Sequence, residues 1–196
     1  MSEQAAGPMG SAPTVSPLRI PYVVAAGSAL LLMSAAIYLG NRWALDFMHV
    51  LGGGLWSGID LFMGFVIGPI LRRLPLESRK AMIEALVPRT LFLMPTLSIV
   101  TTTTGWFLAL QMELFDVGYP QFYWVVAALV IVTMLTVQGL GVLLPTNLRI
   151  YFEMQKQHPD SDKMARWMYV FVRVVAIQGT MQVAIIVVMA RFATGL

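Results

Sequence analysis

The sequence contains no cysteine, which excludes disulfides, thiolate metal sites and cysteine nucleophiles. Charge is also scarce: 12% of its residues are Asp, Glu, Lys or Arg, against roughly 25% in a typical soluble domain. Histidine occurs only twice, at His49 and His158. The signatures of soluble enzymes are missing as well. There is no Gly-rich phosphate loop, no H-E-x-x-H and no G-x-S-x-G. Paired intramembrane carboxylates are absent too, which argues against an ordinary hydrolase or an ATP-driven pump. Period-2 alternation of apolar and polar residues is lacking, so an outer-membrane barrel is not expected.

What fills the chain instead is apolar: 58% of its 196 residues are hydrophobic. That length is better divided into membrane spans of about 20 residues than into soluble domains. Residues 1–17 form a tail rich in Ala, Gly, Pro and Ser, with the single acid Glu3. Its composition predicts a flexible segment, and it lacks the basic start and short apolar core of a signal peptide. A single transmembrane domain over 18–196 follows, with spans predicted at 20–39, 46–71, 90–112, 121–146 and 167–192. Backbone groups find no water partners in lipid, so each span is predicted to be helical. The fold class expected is an all-α bundle of five transmembrane helices.

Orientation follows from Lys and Arg in the short loops. Arg72, Arg73, Arg79, Lys80 and Arg89 cluster after the second span, and Arg149, Lys156, Lys163 and Arg166 after the fourth. The loop around Glu113 and Asp116 has no basic residue. With Arg19, ten of the thirteen basic residues fall on one side, which predicts a cytoplasmic N-terminus. The net charge of +3 is thereby explained without a nucleic-acid partner. Trp43, Tyr123, Trp124 and Trp167 lie near span ends, where amphipathic rings prefer the headgroup layer. The Pro75–Val87 stretch reads as a short amphipathic helix on the cytoplasmic surface or as a structured loop. Pro145 is expected to mark the cytoplasmic end of the fourth span, and Pro95 to bend the third.

The second span carries most of the chemistry. His49, Gly52, Trp56, Asp60, Met63 and Ile67 recur at intervals of three or four and form one helical stripe. Gly54 with Gly58, and Gly64 with Gly68, are G-x-x-x-G pairs, which let helices approach closely and place this helix centrally. Asp60 lies near mid-bilayer, where a carboxylate costs roughly 2.5–3.5 kcal/mol on insertion scales, and it must face inward and find partners. Thr104, Gln138, Gln178 and Gln182 lie at similar depth and are candidates for a shared polar layer. Arg173 either reaches toward Asp60 or snorkels to the interface. A proton, ion or substrate contact and a purely structural role both remain open for Asp60. His49, near the outer surface, is a candidate ligand for haem iron or copper. Met48 and Met112 are candidate thioether partners for copper, although methionine is also a common apolar gap-filler.

The run Phe47-Met48-His49-Val50-Leu51-Gly52-Gly53-Gly54-Leu55-Trp56-Ser57-Gly58 resembles the opening helix of the CopD-like membrane superfamily. In that group a His is followed after six residues by Trp and a nearby Gly. The later Pro95…Thr104-Gly105-Trp106 is similar to its second signal, and the resemblance covers about residues 45–192. The superfamily includes copper-resistance D proteins, HemJ-type protoporphyrinogen oxidases and an uncharacterised branch. The further histidine positions of the HemJ type have no counterpart here, and the chain is most similar to the uncharacterised branch. The resemblance implies that His49, backed by Trp56, binds b-type haem, or copper in the alternative. It implies a redox-linked subunit of a bacterial inner-membrane complex. A cofactor-free scaffold, whose G-x-x-x-G faces bind other subunits or a second copy of the chain, is the third reading.

Overall fold

In the computed structural model, residues 20–156 and 158–195 are described. The predicted tail at 1–17 lies outside them. The described residues are helical throughout apart from short connections, and five helices are long and apolar enough to cross a membrane. They are α1 (Ile20–Tyr38), α2 (Arg42–Arg73), α3 (Leu76–Gln111), α4 (Phe122–Met154) and α5 (Ser161–Ala193). The protein is therefore an all-α, multi-pass membrane protein. Its exposed surface agrees: Leu31, Leu32, Leu55, Phe65, Val137 and Val187 all point outward, as lipid-facing side chains must when the solvent is hydrocarbon.

Helix ends are set by local chemistry. Gly40 adopts φ +61°, which lets the chain turn between α1 and α2, and Asn41 Oδ1 then caps α2 by accepting from the Ala44 N–H at 3.0 Å. At the other end of α2, Arg79 donates to the carbonyls of Leu71 (2.9 Å), Arg72 (3.2 Å) and Leu74 (3.1 Å). These are the carbonyls a helix C-terminus leaves unpaired. Asp160 caps α5 by accepting from the N–H groups of Asp162 and Lys163 at 3.1 and 3.0 Å.

Two expectations are corrected. The Pro75–Val87 stretch is neither a separate surface helix nor a loop: it is the first part of α3, which runs unbroken to Gln111. Its apolar side does not lie on a bilayer. Ile83 and Val87 join Leu71, Ile150 and Tyr151 in a core cluster at the basic-loop end. Pro145 does not end the fourth span, because α4 continues to Met154. The physical reason is a π-helical turn, Gly139–Leu143, which immediately precedes Pro145. The same device occurs in α2, where the π-helical turn Met63–Ile67 precedes Pro69. Proline cannot donate to the helix ladder and crowds the preceding turn. Widening that turn to i→i+5 bonding absorbs both defects without a break.

Helix α2 is central, packing on α1, α3 and α5. Its two glycine pairs differ. A Cβ on Gly64 would stand 3.0 Å from the Ala176 Cα, and one on Gly68 2.5 Å from Val172 Cγ1, so this pair admits α5. Gly54 and Gly58 have nothing within 4 Å of that position.

Candidate functional site

Two polar centres lie along the buried stripe of α2. They are eleven residues apart, about 16 Å along the helix axis.

The first is built on His49 and α3. The imidazole Nδ1 lies 2.8 Å from the carbonyl oxygen of Thr101. A carbonyl only accepts, so Nδ1 carries the hydrogen, and in the neutral ring Nε2 is left with the lone pair. Nε2 bonds to no described residue, yet it is not among the buried unpartnered atoms of the protein. It is neither satisfied nor sealed off. The ring lies across Gly105, where a Cβ would come within 2.6 Å of the imidazole Cε1. One turn deeper, a Cβ on Gly52 would stand 2.7 Å from Thr101 Oγ1. The imidazole is thus seated in a slot made by two glycines and a threonine.

The other proposed ligands are not gathered there. Met48 packs against the cluster of Ala36, Leu45 and Leu108. Met112 is an exposed residue just past the end of α3, two turns or about 10 Å along the axis beyond Gly105. Among the described residues, no three His, Asp or Glu side chains come together as a metal site. What the chain offers a haem or copper is one oriented imidazole nitrogen. Its orientation by a backbone carbonyl is the arrangement commonly seen behind metal-ligating histidines.

The second centre joins α2 to α5. Asp60 is 2% exposed, and Gln178 and Gln182 are each 1% exposed. Gln178 Nε2 donates to Asp60 Oδ2 at 2.7 Å and Gln182 Nε2 donates to the same oxygen at 2.9 Å. Neither amide reaches Oδ1. Trp56, one turn earlier on the stripe, lines the same cavity as Asp60. The amide oxygens of Gln178 and Gln182 are buried without partners, as is that of Gln138 on α4. Beside Asp60 is a cavity of about 50 Å³, lined also by Gln178, Ser98, Thr90 and Asn147. Asn147 Nδ2 donates to Thr90 Oγ1 at 3.2 Å at its basic-loop end.

The predicted polar layer is therefore only partly assembled around Asp60. Gln178 and Gln182 join it. Thr104 is fully buried but donates to the Val100 and Thr101 carbonyls of its own helix. Arg173 does not reach Asp60: it is exposed, with its guanidinium 4.3 Å from the centroid of the Tyr169 ring. Sequence reasoning did not single out Ser98, Thr90 or Asn147. Their signal was weak, since short polar side chains in a span commonly bond their own helix. No protein-family model, curated protein or solved structure matches the chain.

Proposed function

We propose that this protein is a redox-linked subunit of a larger membrane complex, a CopD-like protein of the bacterial inner membrane that holds b-type haem through His49 Nε2. The observation that carries the reading is the bond from His49 Nδ1 to the Thr101 carbonyl. It fixes the tautomer in which Nε2 keeps its lone pair, and it sets the direction in which that nitrogen points. When bound, haem supplies one-electron chemistry; the chain's own contribution is to orient one ligand and to keep it at the bundle surface. With a single oriented imidazole among the described residues, any further ligand to such a group would have to come from outside them. The open strip at Gly54 and Gly58, on the face of α2 away from His49, supports a close approach by a helix of another subunit.

The test is the absorbance spectrum of detergent-purified protein expressed with haem supplied, oxidised and then dithionite-reduced, beside His49→Ala. The expected result is a Soret band that sharpens on reduction and is lost in the variant. A featureless spectrum of the unaltered protein sinks the haem reading. Copper found by elemental analysis of the same sample, and lost in His49→Ala, would establish the alternative occupant.

A further inference from the structure

The second centre has no place in the redox reading, and it stands on separate observations. Asp60 is a carboxyl at mid-span with no cation paired to it among the described residues. On α5, the side chains that face it are Gln178 and Gln182, both neutral. From α3, the cavity beside it is lined by Thr90, Leu91, Met94, Pro95 and Ser98; from α4, by Gly139, Leu140, Leu143, Leu144 and Asn147. None of these is charged. The cation that the sequence offered, Arg173, is turned to Tyr169. The ion pairs among the described residues are Lys156–Glu153 and Lys163–Asp160, both at the basic-loop end. On α2 itself, the nearest titratable group is His49, which belongs to the other centre. A permanent charge buried here would stand without compensation, at a cost of several kcal/mol.

The hydrogen bonding divides the two carboxyl oxygens. Oδ2 accepts from both amides, which uses both of its lone pairs as a carbonyl oxygen would. Oδ1 accepts from neither amide, and Asp60 lines the cavity. A water needs roughly 10–15 Å³ of such volume, so a space of about 50 Å³ has room for about three to five. Its walls supply the polar partners that buried water requires, including the buried and unpartnered Gln178 Oε1. The cavity runs from Asp60 toward Thr90 and Asn147, which lie one residue from Arg89 and two from Arg149 in the sequence. On the opposite side of Asp60, the Gly52–Thr101 contact closes the α2–α3 seam.

We infer that Asp60 is a proton-binding site, loaded and unloaded by water that enters along this cavity from the side of the two basic loops. The resting species is the neutral acid, with its proton on Oδ1 and both amide N–H groups on Oδ2. On release, the O–H bond breaks and the proton passes to cavity water. The pair of electrons stays on the carboxylate, which the Gln178 and Gln182 amides hold until a proton returns. The residues that carry the site are Asp60, Gln178 and Gln182, with Ser98, Thr90 and Asn147 lining the route.

The test is infrared difference spectroscopy of the full chain in lipid at neutral pH, in H₂O and in D₂O, beside Asp60→Asn. That substitution keeps the shape and an acceptor oxygen for the amides. The expected result is a protonated-carboxyl C=O band in the unaltered protein, missing from Asp60→Asn and shifted down within minutes in D₂O. Filling the cavity with Ser98→Leu is expected to slow that deuterium shift at least tenfold while leaving the band in place. No band attributable to Asp60 would overturn the proton site. A band whose deuterium shift is absent, or is unaffected by Ser98→Leu, would overturn loading through the cavity.

Discussion

Gly105 is the residue on which the His49 slot depends, because any side chain there occupies the space of the imidazole. Gly105→Ala would place a methyl 2.6 Å from Cε1, well inside contact distance. The ring must leave the slot or α3 must move off α2, and overpacking of this kind costs about 1–3 kcal/mol. The expected outcome is a lower midpoint of thermal unfolding in detergent, together with loss of whatever His49 ligates. An unchanged midpoint and an unchanged spectrum would show that the slot does not position the ring. At this scale, the sequence announced the participants better than their partners. His49, Trp56, Asp60, Gln178 and Gln182 stand out because polar groups are rare in apolar spans. That His49 would bond a main-chain carbonyl of α3 was not readable, since a carbonyl has no signature in the sequence. Nor was the fate of Arg173, because Tyr169, one turn away on its own helix, competes for the guanidinium.

Among elements, the seam between α2 and α5 separates two kinds of glycine that look alike in the sequence. Gly68→Val is expected to cost about 1–3 kcal/mol by driving its branches into Val172, and to lower the yield of folded protein. A Cβ added at Gly58 meets no described atom within 4 Å, so Gly58→Val should leave the isolated chain stable, and any loss it causes is expected to come through a partner. Equal damage from both, measured by thermal unfolding of the isolated chain, would refute the packing described for α5. The π-helical turns were illegible for a related reason. A proline in an apolar run reads as a helix end, and only the tertiary contacts that hold both flanks in line make a widened turn the cheaper solution. The start of α5 adds a pH effect. Asp160 is held below the usual carboxylate range, first because the Lys163 N–H donates to it and then because the Lys163 ammonium pairs with it. A depressed carboxylate stabilises the fold above its unfolded-state value, and that stabilisation is lost as pH falls through its folded-state value. Acidification should therefore speed amide exchange in the first turn of α5, and Asp160→Asn should remove that dependence. Exchange that responds to acid equally in both proteins would rule the cap out as its cause.

For the whole molecule, the count of five spans was legible because hydrophobic length is the strongest signal a membrane sequence carries, whereas the helices proved longer than the apolar runs. The runs end where charge begins, but α3 and α4 continue beyond the predicted edges at residues 90 and 146. There they meet each other and bury Ile83, Val87, Ile150 and Tyr151 in protein instead of lipid. This extension gives the bundle a folded, basic base at one end and short, mostly uncharged turns at the other. Lys and Arg are retained on the cytoplasmic face, so the base should lie inside and the 112–121 connection outside. The absence of cysteine makes this directly measurable. A thiol introduced at Val117 should react with a membrane-impermeant maleimide in intact cells. One introduced at Asp162 should react only after the cells are opened. The reverse pattern would turn the molecule over, placing the Thr90–Asn147 end of the Asp60 cavity toward the outside and His49 toward the inside. Labelling at both positions in intact cells would mean that the five helices do not all span. Only the first pattern lets Asp60 draw its proton from the cytoplasm while His49 meets its partner near the opposite surface.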